Sequence, residues 1–244
     1  MIDLLLPPLL LSLVLLVIHS YYGLEIIKRN IIFTDLAVGQ MAAVGVAVSL
    51  YLFEGQYLYL FSLSFALITS LLIAYVSHKE NLSQEAFIGL IYALGTSLIF
   101  IVMSKSPHGL EELNNLLAYD ILFTSYNEVF KVSLLYLLIG VFIYFVVSRL
   151  SGFRRELAFF TTFAITLTSS VKLAGVFVVF SILISPTFIS LKLFKKNHIL
   201  YSILVGMVLI FLSLLISYNF DFPTGYTIVF INTLFAIVLS IFKK

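Results

Sequence analysis

The sequence predicts an all-α, polytopic membrane protein with about nine transmembrane helices, from its composition, its segmentation and its charge distribution. Of the 244 residues, 61% are hydrophobic and 11% are charged, whereas about a quarter of the residues in a soluble domain are charged. One bilayer crossing needs about 20 apolar residues, so nine crossings take up roughly 180 positions. We therefore expect one transmembrane domain over residues 1–244, without a soluble domain.

Polar clusters divide the chain into hydrophobic stretches. These are roughly residues 4–24, 31–53, 57–77, 86–104, 132–149, 157–194, 199–217 and 224–242. A single helix over 157–194 would exceed a hydrocarbon core of about 30 Å by about 27 Å. This stretch is therefore predicted to be two helices with a break near Ser169, Ser170 and Gly175. The count is then nine, or eight if the stretch is unbroken.

The positive charges support the nine-helix topology, because cytoplasmic connections carry an excess of Lys and Arg. With the N-terminus outside and the C-terminus inside, eleven of the 14 basic residues fall in inside segments. They are Lys28, Arg29, Lys79, Arg149, Arg154, Arg155, Lys192, Lys195, Lys196, Lys243 and Lys244. Lys105 and Lys131 fall outside, and Lys172 is predicted at membrane depth.

The acidic residues favour the opposite side. Those in or near outside segments are Asp3, Glu54, Glu111, Glu112, Asp120, Glu128 and Asp221. External loops need solvated residues in any case, but an acidic mouth would also attract cations. Glu111, Glu112, Asp120 and Asp221 are therefore the candidate residues of an outer mouth.

Two connections are longer than turns. Residues 104–131 carry leucines at helical spacing among acids and amides, so this segment is predicted to lie on the outer interface or to re-enter the membrane. Residues 149–156 carry three arginines and one glutamate on the inner side. Such a segment could dock a soluble partner, although juxtamembrane arginines also fix topology.

Ionisable groups inside predicted spans are functional candidates because their burial in a membrane is costly. Asp35 falls in the first turn of the second span, where an acid also interacts favourably with the helix dipole. Lys172 could form a salt bridge, face an aqueous cavity, or snorkel from a helix end near the predicted break.

The sequence motifs argue against catalysis in this chain. There are no cysteines, and His19, His78, His108 and His198 form no HxxxH or HExxH pair that could bind catalytic zinc. No phosphate-binding loop, serine elbow or second aspartyl-protease motif occurs. With a net charge of +2, nothing indicates a nucleic-acid partner.

Four segments together resemble one family. Residues 33–45 read Phe-Thr-Asp-Leu-Ala-Val-Gly-Gln-Met-Ala-Ala-Val-Gly and are similar to a Gly-Asp-x-x-x-His-Ala-x-x-x-Gly pattern. Residues 117–122 resemble Leu-x-Gly-Asp-Ile-Leu, and residues 221–225 an external Asp-x-Pro-x-Gly turn. Residues 171–186 resemble the late pair of spans. By their order and spacing, the sequence resembles the membrane subunit of the bacterial ATP-binding-cassette (ABC) importers for zinc and manganese.

The resemblance implies an ion pathway on the second span, where the family's aspartate and histidine are metal ligands on one helical face. Here Gln40 stands at the histidine position and Asp35 falls one residue early, a rotation of about 100°. An amide oxygen suits manganese or calcium better than zinc. Asp35, Gln40, Met41 and Lys172 are the candidate pathway residues, with Asp35 as the candidate metal ligand.

The resemblance also implies the mechanism and the partners. Two copies would form the pore in the inner (plasma) membrane, a separate ATPase would bind ATP and Mg²⁺, and an external binding protein would deliver the metal. Arg149, Arg154, Arg155 and Glu156 would contact the ATPase through a shortened docking element. This chain would work by alternating access and would not itself be an enzyme.

Two alternatives remain open at this point. One is an ABC permease for a metal chelate or cobalamin, which needs no paired metal ligands. The other is a secondary cation transporter that works without ATP, with discontinuous helices around a midplane site. Lys172 and the break at Gly175 are the features that indicate it.

Overall fold

The computed structural model describes residues 2–79, 83–106, 111 and 121–242, and every regular element in this part of the chain is helical. Nine of the described helices are long and apolar enough to cross a membrane. They are α1 (Ile2–Lys28), α2 (Thr34–Phe53), α3 (Leu58–Val76), α4 (Gln84–Met103), α5 (Tyr126–Phe145), α6 (Gly152–Ala174), α7 (Val176–Leu193), α8 (His198–Phe220) and α9 (Thr224–Phe242). The all-α fold with nine spans is thus confirmed for the described residues, whereas the side of each terminus stays a prediction.

The long apolar stretch is interrupted where the sequence predicts. Gly175 separates α6 from α7 and has a φ of +80°. This left-handed backbone conformation carries no steric penalty for glycine, so the chain can end one helix and start the next within a single residue. The predicted division into two spans is confirmed.

The fifth span begins six residues earlier than residue 132, where it was predicted to begin. Ser125 and Glu128 cap α5: the Ser125 backbone N–H donates to the Glu128 carboxylate at 2.9 Å, and the Glu128 N–H donates to the Ser125 hydroxyl at 3.3 Å. This reciprocal pair satisfies helix-end donors. The prediction was wrong because Glu128 and Lys131 were assigned to a connection, whereas both lie in the first turns of the helix.

The sixth span also begins earlier, at Gly152 instead of residue 157. Arg154, Arg155 and Glu156 therefore lie on the first turns of α6, not in a loop as predicted. Gly152 has a φ of +58°, which lets the chain turn sharply into the helix. Long straight side chains such as Arg and Glu are good helix formers, so their charge does not end the helix.

The chain divides into two compact units. The first contains α1, the start of α5, and α7 to α9. In it, α1 packs against α7 and α8, and α9 packs against the same two helices. Ile189, Leu209 and Ala236 form a buried cluster that joins α7, α8 and α9.

The second unit contains α2 to α4, the rest of α5 and most of α6. In it, α2 packs against both α3 and α4. Val44, Ala47, Ile99 and Met103 form the buried cluster between α2 and α4. The expected single permease domain stays a prediction.

Candidate functional site

The first turn of α2 holds a buried carboxylate. The chain leaves α1 through Asn30, whose φ is +55°, and the Thr34 hydroxyl then donates to the Ile31 carbonyl at 2.6 Å. Asp35 follows with only 2% of its surface exposed, and its Oδ1 has no hydrogen-bond donor. Because a buried acceptor without a donor is costly, Asp35 is the side chain in this region best suited to receive a cation.

Gln40 and Met41 lie farther along α2, where α4 crosses it closely. Gln40 is 8% exposed. A Cβ added at Gly95 of α4 would lie 3.0 Å from the Gln40 Cβ and 3.3 Å from the Met41 Sδ. The missing side chain at Gly95 therefore lets the two helices approach, and this packing restrains Gln40 and Met41.

Asp35 and Gln40 do not share a helical face. They are five residues apart on one unbroken helix, which places their side chains roughly 140° apart around its axis. Across the described ranges of the chain, no three His, Asp or Glu residues are close enough together to hold a metal ion. The carboxylate of Asp35 is thus the charged group that α2 contributes.

Lys172 lies in the last turn of α6 and is exposed. It interacts electrostatically with Glu128 at the start of α5. Its position at a helix end agrees with snorkelling, one of the three interpretations of this residue from the sequence. Asp35 belongs to the other compact unit.

The candidate ATPase-contact residues lie where α5 gives way to α6. A short 3-10 turn, Val147–Arg149, precedes α6. Arg149, Arg154 and Arg155 are exposed, whereas Glu156 is half-buried. The structure therefore presents three exposed arginine side chains on one short stretch of backbone, and their contact with an ATPase stays a prediction.

A ring contact connects this stretch to the α3–α4 connection. The His78 ring lies 5.5 Å from the ring of Phe153, between centroids. His78 is the second residue after α3, and Phe153 is the second residue of α6. The two connections therefore lie at the same end of the unit, as the predicted alternation of sides requires.

The candidate outer-mouth residues are described only in part. Glu111 and Asp221 are exposed, and Asp221 ends α8 with a φ of +54°. Glu112 and Asp120 lie outside the described residues. The outer-mouth hypothesis thus rests on Glu111 and Asp221 here.

Sequence reasoning missed several polar groups that the structure makes prominent. Ser20, Thr187 and Ser202 meet in a buried hydroxyl cluster, and Asn232 is fully buried with an unpartnered Oδ1. A lone amide in an apolar span was a sequence signal for Asn232. The hydroxyl cluster had no such signal. Serines and threonines commonly bond to their own helix, so the sequence does not show which of them bond to another helix.

Comparison with known proteins supplies the family. A family model described as the ABC 3 transport family matches residues 1–243. This chain belongs to the ABC 3 transport family. The predicted resemblance to an ABC importer permease is thereby confirmed, and with it the interpretation of this polytopic membrane protein as a transport subunit.

Two curated members of the family are similar in sequence. The chain is 24% identical to the high-affinity zinc uptake system membrane protein ZnuB of Haemophilus influenzae over 261 aligned residues. The alignment covers 100% of this chain and 99% of that protein. It is 26% identical to the manganese transport system membrane protein MntB of a Synechocystis strain, over 68% of this chain and 60% of that protein.

Two solved structures share the fold. PsaBC from Streptococcus pneumoniae, in complex with a Fab, has a TM-score of 0.71 and 19% identity, over 96% of this chain and 90% of that one. A transporter described as of the metal-chelate type, in an inward-facing conformation, has a TM-score of 0.70 and 17% identity, over 96% of this chain and 85% of that one. At these identities, the likeness extends to the fold alone.

Proposed function

We propose that this chain is the transmembrane subunit of an ATP-driven importer of a divalent metal ion, of the zinc or manganese class. The family membership and the names of the two curated relatives support this cargo. The observation that carries it in the chain itself is the buried Asp35 carboxylate with an unpartnered Oδ1. A divalent cation passing α2 would supply the partner that this buried oxygen lacks.

Hydration water must be replaced as the ion enters the spans. The Asp35 carboxylate would provide charge, and the Gln40 amide and Met41 thioether would provide neutral ligands about a turn and a half farther along α2. Because Asp35 and Gln40 point in different directions, the ion would contact them in sequence. The carboxylate and amide oxygens suit manganese, whereas the softer Met41 sulfur suits zinc.

Alternating access would be driven from the inner side. The chain would lie in the inner (plasma) membrane of the cell. A separate ATPase that binds ATP and Mg²⁺ would contact it on the inner side, at Arg149, Arg154, Arg155 and Glu156. Because Arg154 and Arg155 lie on α6 itself, movement of the ATPase would act on a spanning helix without an intervening loop. The contact between His78 and Phe153 would carry that movement to the α3–α4 connection.

The remaining partners complete the importer. A second copy of this chain would form the other half of the pore, and an external binding protein would deliver the metal near Glu111 and Asp221. Lys172, beside Glu128, would contribute to the electrostatics of its helix end instead of binding the cation directly.

Uptake into vesicles containing this chain and its ATPase, with the external binding protein supplied, tests the proposal. We expect ATP-dependent entry of manganese or zinc, reduced at least about tenfold by Asp35→Asn, because loss of an ion-binding carboxylate costs at least as much as loss of an outer-shell group. Gln40→His should shift selectivity toward zinc, which prefers nitrogen ligands. The matched control is Glu54→Gln, an exposed acid just past the other end of α2.

Each contrary outcome identifies a different error. Unchanged uptake by Asp35→Asn would show that the ion pathway does not depend on Asp35 of α2. ATP hydrolysis without movement of any free ion, together with uptake of a metal chelate, would show that the cargo is a chelate. Uptake that is independent of the ATPase would show that the chain is a secondary transporter.

A further inference from the structure

One side of α8 is an apolar surface that the first unit leaves uncovered. The opposite side of this helix carries buried residues such as Ser202 and Leu209, and the helix packs against α1, α7 and α9. On the uncovered side, four exposed residues lie within about 80° of one another around the helix axis. They are Leu200, Leu204, Val208 and Phe211, with 53%, 50%, 59% and 51% of their surfaces exposed. We call these four residues the α8 stripe.

The length of the α8 stripe matches one leaflet of a bilayer. From Leu200 to Phe211 the stripe extends about 16 Å along the helix. The hydrocarbon core of a bilayer is about 30 Å thick, so each leaflet contributes about 15 Å. Because the stripe begins near His198, the first residue of α8, it lies in the leaflet next to the α7–α8 turn. An acyl chain of that leaflet therefore fits along it.

The turn before α8 has a fixed position at this end of the unit. The Ser190 hydroxyl of α7 donates to the His198 carbonyl at 2.7 Å, which ties the first turn of α8 to α7. The ring of Phe194 stacks on the ring of Tyr201, with 3.7 Å between the centroids. Since tyrosine is enriched at the level of the lipid headgroups, these contacts agree with a turn at that level.

Two lysines of this turn carry positive charge without a counter-ion in the described part of the chain. Lys195 and Lys196 are exposed, and neither forms an ion pair with a described residue. Lys192 differs from them, because its Nζ donates to the Ser240 carbonyl near the end of α9, at 2.7 Å. Leu200 follows shortly after Lys196 in the chain. The free positive charge therefore lies at the headgroup end of the α8 stripe.

An anionic phospholipid has both features that this surface requires. Its phosphate is attracted to lysine, and its acyl chains are as apolar as the stripe. We propose that the α8 stripe, Lys195 and Lys196 bind an anionic phospholipid, with the phosphate at the turn and an acyl chain along the stripe. A soluble acidic protein could neutralise the lysines, but it would not reach a stripe within the hydrocarbon core. This inference is independent of the transported cargo.

The fluorescence of a single introduced tryptophan tests the proposal, because the sequence contains no tryptophan. The full chain with Leu204→Trp is reconstituted in vesicles that contain phosphatidylglycerol or phosphatidylcholine brominated on the same acyl chains, in both leaflets. Bromine quenches the tryptophan when the lipid contacts the stripe. We expect tighter binding of phosphatidylglycerol, by up to about fivefold for each lysine, since a basic residue near the lipid surface contributes about 1 kcal/mol. The preference should fall as salt is added.

Substitution of the lysines assigns the preference to the turn. The double variant Lys195→Gln, Lys196→Gln should bind the two lipids about equally at Leu204→Trp. The matched control is Lys131→Gln, which removes the charge of an exposed lysine on α5 and should leave the preference unchanged.

A tryptophan on another helix controls for the position of the probe. Leu90 of α4 is exposed and is as far from the start of its helix as Leu204 is from the start of α8. The first turn of α4 carries Glu85 in place of lysines. Leu90→Trp should therefore show no preference for the anionic lipid.

Four results would overturn the proposal. Two are equal binding of both lipids at Leu204→Trp and a preference that survives the double lysine variant. The third is weak quenching by both lipids at Leu204→Trp but not at Leu90→Trp, which would show that protein covers the stripe. The fourth is loss of ATPase binding in the double variant with an unchanged lipid preference, which would assign the lysines to the ATPase. If Leu204→Trp fails to fold, Val208→Trp probes the same stripe.

Discussion

Single residues determine how closely helices approach, and Gly45 is the strongest case. A Cβ at this position of α2 would lie 2.4 Å from the Phe61 carbonyl oxygen and 2.9 Å from the Ser62 Cα, both backbone atoms of α3. Backbone cannot move aside as a flexible side chain can. The second unit therefore depends on the absence of a side chain at this residue.

Gly45→Ala should destabilise the protein by about 1–3 kcal/mol, the usual range for overpacking. For a chain of this size, each kcal/mol lowers Tm by about 2–4 °C. Thermal unfolding in detergent measures the effect. Gly89→Ala is the control, since a Cβ at Gly89 of α4 would meet nothing within 4 Å. Equal melting temperatures for the two variants would show that α2 and α3 do not need this approach.

Asp35 illustrates what residue-level reasoning could and could not supply. Its place in the first turn of α2 was predicted correctly, because the polar residues before it end the preceding span. Its burial and its unpartnered Oδ1 were not predictable, because they depend on which side chains surround the turn. Its role in binding metal stays a prediction.

At the level of helices, a buried hydroxyl cluster joins three elements of the first unit. The Ser20 hydroxyl of α1 donates to the Ser202 hydroxyl of α8 at 2.9 Å, and Thr187 of α7 shares a hydrogen bond of 3.0 Å with Ser202. All three side chains are fully buried. Since lipid supplies no hydrophobic driving force between helices, such bonds contribute to their association.

Ser202→Ala should therefore lower the free energy of unfolding by about 0.6–1.7 kcal/mol, which runs from the average to the largest value measured for interhelical hydrogen bonds in a membrane protein. The measurement is thermal or denaturant unfolding of the purified protein. Ser240→Ala is the control, because Ser240 of α9 is exposed and its hydroxyl donates within its own helix to the Ile237 carbonyl at 2.8 Å. A larger loss from Ser240→Ala than from Ser202→Ala would contradict a stabilising role for the cluster.

For the whole molecule, the positive-inside pattern predicts an N-terminus outside and a C-terminus inside. The absence of cysteine from the sequence makes this testable with single cysteines. Glu54→Cys and Asp221→Cys should react with a membrane-impermeant maleimide applied from outside. Lys79→Cys and Lys195→Cys should react only after the membrane is opened.

These four positions control for one another. They lie at ends of α2, α3, α7 and α8, and all four are exposed. The reverse labelling pattern would show that the topology is inverted and that the proposed ATPase segment lies outside. A mixed pattern would contradict the alternation of the spans.

The sequence by itself determined the class of the protein, the number of spans and the break at Gly175. Apolar length and charge asymmetry act locally along the chain, and a bilayer of fixed thickness turns them directly into helices and sides. The family resemblance was also readable, because it depends on the order of motifs. The starts of α5 and α6 were misjudged, since charged residues within a helix end look like a connection.

Only the tertiary structure decided which polar residues matter beyond topology. The approach of α2 to α3 at Gly45 and the cluster around Ser202 join residues distant in sequence. Nearly every position of an apolar span looks alike in sequence, because lipid and protein interior are equally apolar. Which face of each helix meets a neighbour is set by packing, and packing therefore decides which polar groups are buried together.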